Sequence, residues 1–263
     1  MTTPLSGKKI LITRSKVQSK TFSEKLLRAG AIPCIAPVVT FKPRFSQQNQ
    51  QVFQQLHDYT WVFFTSANGV KFFFDQMKYW EIDPSVLSHT KIAVIGTKTE
   101  KRLQSYGLKA DFCPKVFQAT KMVNEFLHTY PRQQQRILLV CGNLARKEIA
   151  EELEKQQVIF RKVVIYDTLT NERAKRPLVN YLQQETIDAC TFTSPSTVQA
   201  FLDLGREYTR ELNRLKEECL CVCIGTTTKR KAQEVGFKNI RIPEVFTIDG
   251  MMDELQEYFK QEG

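Results

Sequence analysis

The sequence predicts an α/β protein built on doubly wound parallel sheets. Short apolar runs alternate with amphipathic stretches along most of the chain, as in successive βαβ units. Residues 91–126 also recur as residues 220–255, and Gly96 matches Gly225 at an offset of 225 − 96 = 129. The length of 263 residues is therefore explained by two copies of one module of about 130 residues.

Eight apolar runs have the length and composition of buried parallel strands. They are KILIT (9–13), AIPCIAP (31–37), WVFFT (61–65), KIAVIG (91–96), RILLVC (136–141), VIFRKVVIY (158–166), DACTFT (188–193) and CVCIG (221–225). Two shorter strands are predicted at 110–112 and 239–241. The stretches SKTFSEKLLRAG, TEKRLQSYG and KRKAQEVG each end in glycine, which is typical of a helix carboxyl terminus.

The repeat extends beyond its best-matched segment. Residues 62–74 resemble residues 189–202, so that Ser66 pairs with Ser194, and the Val-Phe pair at 116–117 matches the pair at 245–246. Composition alone places the boundary between the two modules at Pro131–Gln135.

Small and hydroxyl residues are concentrated in the turns that follow the predicted strands. Ligands of open parallel sheets bind at these turns, although helix N-capping explains each hydroxyl about equally well. Capping does not explain the nearby cations, because positive charge at a helix N-terminus opposes the helix dipole. Bound carboxylates or phosphates would explain them. The candidate ligand-binding residues are Arg14, Ser66, Ala67, Thr97, Thr99, Gly142, Asn143, Ser194, Ser196, Thr226, Thr227 and Thr228, and the further cations are Lys16, Lys98, Lys101, Arg102, Arg146, Lys147, Lys229, Arg230 and Lys231.

Several classes of protein are disfavoured by what the sequence lacks. The net charge of +10 suggests an anionic partner, but the basic residues lack the interleaved aromatics of a single-strand nucleic-acid binder. Neither GxGxxG nor GxxxxGK[ST] is present, so nucleotide-binding loops are not expected. The three histidines are scattered, and the alternating Cys219, Cys221 and Cys223 are expected to be core residues of one strand. We therefore expect neither a metal ion nor a cofactor.

The expected compartment is the cytoplasm. Seven cysteines without a CxxC pair indicate reduced thiols, and no window of 18 apolar residues predicts a membrane span. The apolar run near the amino terminus, Ile10–Ile12, is too short for a signal peptide. One further residue, Tyr166, ends an apolar run, where spacing alone favours a packed ring with a solvated hydroxyl.

Taken together, these segments resemble the uroporphyrinogen-III synthase family over essentially the whole chain. The resemblance rests on the order and spacing of several motifs rather than on one signature. They are ILITR at 10–14, FTSANGV at 64–70, AVIGTKT at 93–99, VVIYDT at 163–168, FTSPSTV at 192–198, CIGTTT at 223–228 and the closing PEVFTIDGMMDEL.

The resemblance implies two flavodoxin-like domains joined by a two-stranded hinge, with the active site in the cleft between them. The first domain would comprise residues 1–38 plus 172–263, and the second would be the continuous segment 39–171. The two crossings would be Val38–Phe41 and Ile165–Thr170. This arrangement replaces the boundary that composition suggests.

The resemblance also implies a reaction. A monomeric lyase without a cofactor would cyclise hydroxymethylbilane, supplied by porphobilinogen deaminase, to uroporphyrinogen III with loss of water and inversion of the last pyrrole ring. Tyr166 would assist departure of the hydroxyl, and the turn residues would hold the eight carboxylates of the substrate. Two alternatives remain open: a non-catalytic two-domain binding protein for a polyanionic small molecule, and a sugar-phosphate or nucleotide enzyme.

Overall fold

A computed structural model describes residues 3–116, 118–184 and 186–261 of the chain, which divides into two units. The discontinuous unit consists of Met1–Thr40 and Leu169–Gly263, and the continuous unit is Phe41–Thr168. The interval 131–135, where composition places a boundary, lies inside the continuous unit. Phe117, one member of the repeated Val-Phe pair, lies outside the described residues.

Strands and helices alternate along most of the chain. From the start of the chain to the end of β7 they are β1 (Lys9–Ile12), α1 (Lys16–Arg28), β2 (Ile32–Ile35), β3 (Val39–Pro43), α2 (Gln47–Gln54), β4 (Trp61–Phe64), α3 (Ala67–Tyr79), β5 (Lys91–Val94), α4 (Thr97–Gln104), α5 (Ala119–Thr129), β6 (Arg136–Gly142), α6 (Glu148–Lys155) and β7 (Ile159–Thr170). After it come α7 (Lys175–Gln184), β8 (Ala189–Phe192), α8 (Pro195–Gly205), α9 (Thr209–Glu218), β9 (Leu220–Cys223), α10 (Thr226–Glu234), β10 (Ile240–Arg241) and α11 (Ile248–Gln261). Of the helices that the structure describes, none is both long and apolar enough to cross a bilayer.

The sheet of the discontinuous unit is entirely parallel, in the order β10-β9-β8-β1-β2. Numbered along this unit's own chain, the order is 2-1-3-4-5, which is that of flavodoxin-like sheets. Strand order reverses between β1 and β8, where such sheets bind ligands. Two buried hydroxyls join these strands: Thr13 donates to the Thr191 carbonyl at 2.7 Å, and Thr191 donates to the Leu11 carbonyl at 2.8 Å.

The sheet of the continuous unit has the order β3-β7-β6-β4-β5. Strands β4 to β7 pair in parallel, and their order reverses between β4 and β6. Strand β3 runs antiparallel to β7, because Arg44 N donates to the Ile165 carbonyl and Asn171 N donates to the Val38 carbonyl, at 2.9 and 2.8 Å. The reversal of strand order between β4 and β6 gives this sheet its own switch point beside β4.

Apolar side chains cover both faces of the continuous unit's sheet. Phe64, Val140 and Phe73 belong to the core on the face that α2 and α3 cover. Trp61 and Phe126 belong to the core on the opposite face, with ring centroids 4.9 Å apart and planes at 86°. The uninterrupted apolar runs of the sequence thus correspond to strands buried on both faces.

The repeated glycines end their helices as predicted. Gly107 follows α4 and Gly236 follows α10, at φ of 76° and 98°. These left-handed conformations cost glycine little, whereas a Cβ atom would strain them. The predicted strand at 239–241 is present as β10, but the predicted strand at 110–112 is wrong. Phe112 forms only a single bridge, to Ala93, which is too little pairing for a strand.

Candidate active site

The turns after β4 and β6 lie side by side at the switch point of the continuous unit. Ser66 precedes α3 and caps it, since its Oγ accepts a hydrogen bond from Gly69 N at 3.0 Å. Ala67, the first residue of α3, is partly exposed, and Gly142 ends β6. Three of the predicted residues are thus brought to one edge of one sheet.

Tyr166, on the neighbouring strand β7, points its hydroxyl to this edge. The phenol oxygen lies 3.1 Å from Ser66 Oγ, and only 8% of the residue is exposed. Its ring stacks on Phe72 with centroids 5.2 Å apart and meets Phe41 edge-on at 6.1 Å. The ring is therefore held from two sides, and its hydroxyl already has one polar partner.

Gly142 allows Tyr166 to lie this close to β6. A Cβ atom at Gly142 would be 2.4 Å from Cζ of Tyr166 and 2.7 Å from its hydroxyl oxygen. Contacts this short do not occur between non-bonded atoms, so any larger residue would displace the ring. The contribution of Gly142 to the site is therefore the absence of a side chain.

Asn143 holds the strand that carries Tyr166. Its backbone N donates to the Tyr166 carbonyl at 3.1 Å. Its side-chain Oδ1 accepts from Thr168 N at 2.8 Å, and its Nδ2 donates to the Thr168 carbonyl at 3.3 Å. Because both ends of the amide are engaged, Asn143 serves the site by fixing β7.

Burial raises the pKa of Tyr166 above the ordinary tyrosine value, and the hydrogen bond with Ser66 opposes this shift only in part. Burial has this direction because it penalises the phenolate. The phenol is therefore protonated at neutral pH and can donate its proton to a departing oxygen.

The second candidate edge belongs to the discontinuous unit and surrounds its own switch point. Arg14 follows β1, and its buried Nε has no hydrogen-bond partner within the described residues. Ser194 follows β8 and caps α8 in a reciprocal capping box with Thr197. Ser196 Oγ lies 2.9 Å from Ser194 Oγ. Burial also lowers the pKa of Arg14, although a guanidinium stays charged throughout the physiological range.

The threonine turns divide into exposed and buried members. Thr97 and Thr226 are exposed and Thr227 is half-buried, so their hydroxyls can reach a ligand. Thr99 and Thr228 are only 3% and 2% exposed. The Thr99 hydroxyl donates to the Ile95 carbonyl at 3.0 Å, because the third residue of a helix turns inward. The expectation that these two buried hydroxyls face a ligand is therefore not supported by their positions.

Cations lie at fewer helix starts than the sequence suggests. Helix α4 has only eight residues, so Lys101 and Arg102 lie in its last turn, where the helix dipole favours them. Helix α6 begins at Glu148, after Arg146 and Lys147, and has two acidic residues in its first turn. The predicted placement of a cation at a helix start is found at α1, which has no acidic residue in its first turn and is preceded by Arg14.

The described residues contain no group of three or more His, Cys, Asp or Glu side chains arranged to hold a metal ion. Cys219, Cys221 and Cys223 are buried beside or within β9, as expected for core residues. Sequence reasoning missed Phe72 and Phe41, which hold the Tyr166 ring. The sequence offers no specific signal for either residue, because the run Phe72–Phe74 is explained by packing in the helix core and a spacing of six residues from Ser66 does not share a helix face.

Comparison with known proteins adds independent information. The family model described as uroporphyrinogen-III synthase HemD matches residues 20–253. The porphyrin biosynthesis protein HemD of Ruminiclostridium josui is 31% identical over 261 residues, which is 98% of this chain but 50% of that protein. This chain therefore spans half the length of that relative. The uroporphyrinogen-III synthase of Synechococcus elongatus is 28% identical over 270 residues, with 98% of both chains covered.

Solved structures share the architecture. A mutant uroporphyrinogen III synthase from the extremely thermophilic bacterium Thermus thermophilus superimposes with a TM-score of 0.68 at 15% identity, covering 98% of this chain and 100% of that one. The uroporphyrinogen-III synthetase of Helicobacter pylori gives 0.64 at 15% identity, covering 96% and 99%. These likenesses establish the two-domain α/β fold, and the sequence matches establish the relationship. This chain belongs to the uroporphyrinogen-III synthase family.

Proposed function

We propose that this chain cyclises hydroxymethylbilane to uroporphyrinogen III, with loss of water and inversion of the terminal pyrrole ring. The observation that carries the proposal is the buried phenol of Tyr166 at a switch-point edge, in a chain that belongs to this family. The reaction is redox-neutral, so it needs no electron carrier.

Loss of the hydroxyl is the step assigned to Tyr166. The nitrogen lone pair of the pyrrole that carries the hydroxymethyl group pushes the C–O bond pair onto the departing oxygen, which receives the phenol proton and leaves as water. The substituted α-carbon of the pyrrole at the other end of the chain attacks the resulting azafulvenium cation and forms a spiro intermediate. The bond from the spiro carbon to its original methylene bridge then breaks, and that methylene bonds instead to the free α-carbon of the same ring, which is thereby inverted. The proton released as the inverted pyrrole ring regains aromaticity returns to the phenolate, so Tyr166 is restored.

The substrate's carboxylates are the groups that the turns are suited to bind. Arg14 offers a guanidinium with an Nε that is unpartnered within the described residues, and helix N-termini offer backbone amides with a favourable dipole. The exposed or half-buried hydroxyls near these amides belong to Thr97, Ser194, Ser196, Thr226 and Thr227. A monomer is proposed as the working enzyme, as the family resemblance implies.

Genetic complementation tests this function. In a bacterial strain that lacks its own uroporphyrinogen-III synthase, the wild-type chain should restore growth without added haem. The Tyr166→Phe variant should restore it poorly. Tyr79→Phe, at a phenol that is 63% exposed in the same unit, is the matched control and should complement fully. If the wild-type chain accumulates as folded protein and growth still requires haem, the proposal is wrong, and the alternative of a non-catalytic binding protein gains support.

A further inference from the structure

We propose that Gln76 is a positioning residue for the reaction: it holds a β-bulge in β7 that turns Tyr166 toward Ser66. The inference rests on the proposed function for its kinetic consequence, but its structural part concerns only the continuous unit. Gln76 lies within α3, ten residues after Ser66, and its side chain binds backbone carbonyls rather than any of the predicted ligand-binding turns.

The bulge is visible in the pairing of β6 with β7. From Arg136↔Ile159 to Cys141↔Val164 the partners keep one register, but the next residue, Gly142, pairs with Tyr166. Ile165 is therefore an extra residue without a partner on β6. Bulges of this kind bend a strand locally and redirect the side chains that follow.

The consequence for Tyr166 follows from the alternation of side chains along a strand. Val163 and Ile165 both belong to the core that α2 and α3 cover, as alternation requires. In a regular strand, Tyr166 would point to the opposite face together with Val164. Instead, Tyr166 belongs to the same core as Ile165. Without the extra residue, the phenol could not lie against Phe72 and reach Ser66.

Gln76 binds the backbone at the bulged residue itself. Its Nε2 donates to the Ile165 carbonyl at 2.6 Å and lies 3.4 Å from the Arg44 carbonyl. The same Ile165 carbonyl accepts from Arg44 N at 2.9 Å, so it would remain hydrogen-bonded without Gln76. The Gln76 bond is therefore not required to satisfy the carbonyl. Its contribution is to fix the direction in which the Ile165 carbonyl points.

The other end of the Gln76 amide is a second feature that packing alone does not explain. Gln76 is fully buried, and its Oε1 has no hydrogen-bond partner among the described residues. An unsatisfied buried acceptor costs free energy, whereas an apolar side chain of similar shape would not. A glutamine is thus a poor choice for packing alone at this position.

The test compares two buried glutamines of the same unit. Gln76→Met removes the donor and the unsatisfied acceptor while keeping the length of the side chain. Gln135→Met is the matched control, because Gln135 is 6% exposed and its Nε2 donates to the Pro131 carbonyl at 3.0 Å, beyond the other end of β6. Both variants are purified as full chains and compared with wild type in turnover, in urea unfolding and in the titration of Tyr166. That titration is followed by NMR of ¹³Cζ-labelled tyrosine, with the signal assigned through Tyr166→Phe.

Gln76→Met should lower kcat at least about tenfold, since small misplacements of a reacting group have effects of this size or larger. Its Tyr166 signal should titrate at lower pH than in wild type, because a ring that leaves its packed position is less buried. Gln135→Met should change neither quantity. If the two variants behave alike in turnover and in the Tyr166 titration, the inference is overturned.

A second variant decides the matter if Gln76→Met fails to fold. Gln76→Glu has nearly the same shape, but its carboxyl group can donate to Ile165 only when protonated. The Tyr166 signal should therefore move toward its wild-type position as the pH falls through the titration of that carboxyl, and a signal independent of pH would contradict the inference. The NMR measurement needs no substrate. An inactive wild-type chain would thus refute the proposed function, while the Tyr166 signal would still decide the role of Gln76.

Discussion

Replacing Tyr166 by phenylalanine should lower kcat for hydroxymethylbilane about 10²-fold while leaving the fold intact. The ring and its contacts with Phe72 and Phe41 remain, and only the hydroxyl near Ser66 is removed. A loss of this size is at the low end of what a positioned general acid contributes. The measurement is steady-state turnover of purified protein, with substrate generated in place by porphobilinogen deaminase.

The comparison with hydroxyl variants makes this prediction specific. Ser66→Ala and Thr227→Ala should each lose less activity than Tyr166→Phe, because each removes only one of several contacts with the substrate or with the phenol. An equal or larger loss in either variant would contradict the acid role of Tyr166. Tyr79→Phe controls for loss of a phenol elsewhere in the unit.

The pH dependence gives a second readout of the same residue. Burial raises the pKa of Tyr166 above about 10, so its protonated form persists into the alkaline range. The stability that this group contributes is complete below the ordinary tyrosine pKa and is lost as the pH rises through the raised value in the folded state. Wild type should therefore lose more stability than Tyr166→Phe above about pH 10, as measured by urea unfolding across that range.

Replacing Gly142 by alanine should have a comparable effect on turnover through displacement of the same ring. The new Cβ atom would lie 2.4 Å from Tyr166 Cζ, and the ring cannot move freely because Phe72 and Phe41 bracket it. We expect about 10²-fold lower kcat, and about 1–3 kcal/mol lower free energy of unfolding from overpacking. Turnover and urea unfolding of the purified variant measure the two effects.

A double-mutant cycle separates this effect from general damage. When Tyr166→Ala has removed the ring, Gly142→Ala should cost little further stability, because the clash no longer exists. Gly205→Ala is the control for adding a methyl group against a flexible side chain, since the three atoms nearest to its Cβ would all belong to Leu212, at 3.0–3.3 Å. Additive losses in the cycle would show that Gly142 does not act through Tyr166.

Much of this arrangement could be predicted from the sequence, for reasons that the fold makes plain. A strand that is buried on both faces requires a nearly continuous apolar run, such as WVFF or RILLV. The internal repeat shows which turns are equivalent. Because parallel strands end at a common edge, the turns at Ser66 and Gly142 could be placed together before any distance was known. The domain boundaries at 38/39 and 171/172 come from the family resemblance and not from composition, and the contacts within the chain divide it at 40/41 and 168/169.

Other features depend on contacts that no local pattern records. Helix α4 ends after eight residues, and this length decides that Lys101 lies in a last turn rather than a first. The inward turn of Thr99 depends on the same helix geometry. Gln76 contacts the bulge at Ile165 from 89 positions earlier in the chain, and without the bulge alternation would place Tyr166 on the wrong face. The family resemblance, and not the local sequence, identified Tyr166.

The product isomer reports directly whether this chain closes hydroxymethylbilane with inversion of the terminal ring, as we propose. The most direct test adds the purified chain to a porphobilinogen deaminase reaction, oxidises the products after short times, and separates the type I and type III uroporphyrin isomers. We expect the type III isomer to dominate with wild type, and the type I isomer of spontaneous closure to dominate with Tyr166→Phe. If wild type yields only the type I isomer at the rate seen without protein, the account is contradicted.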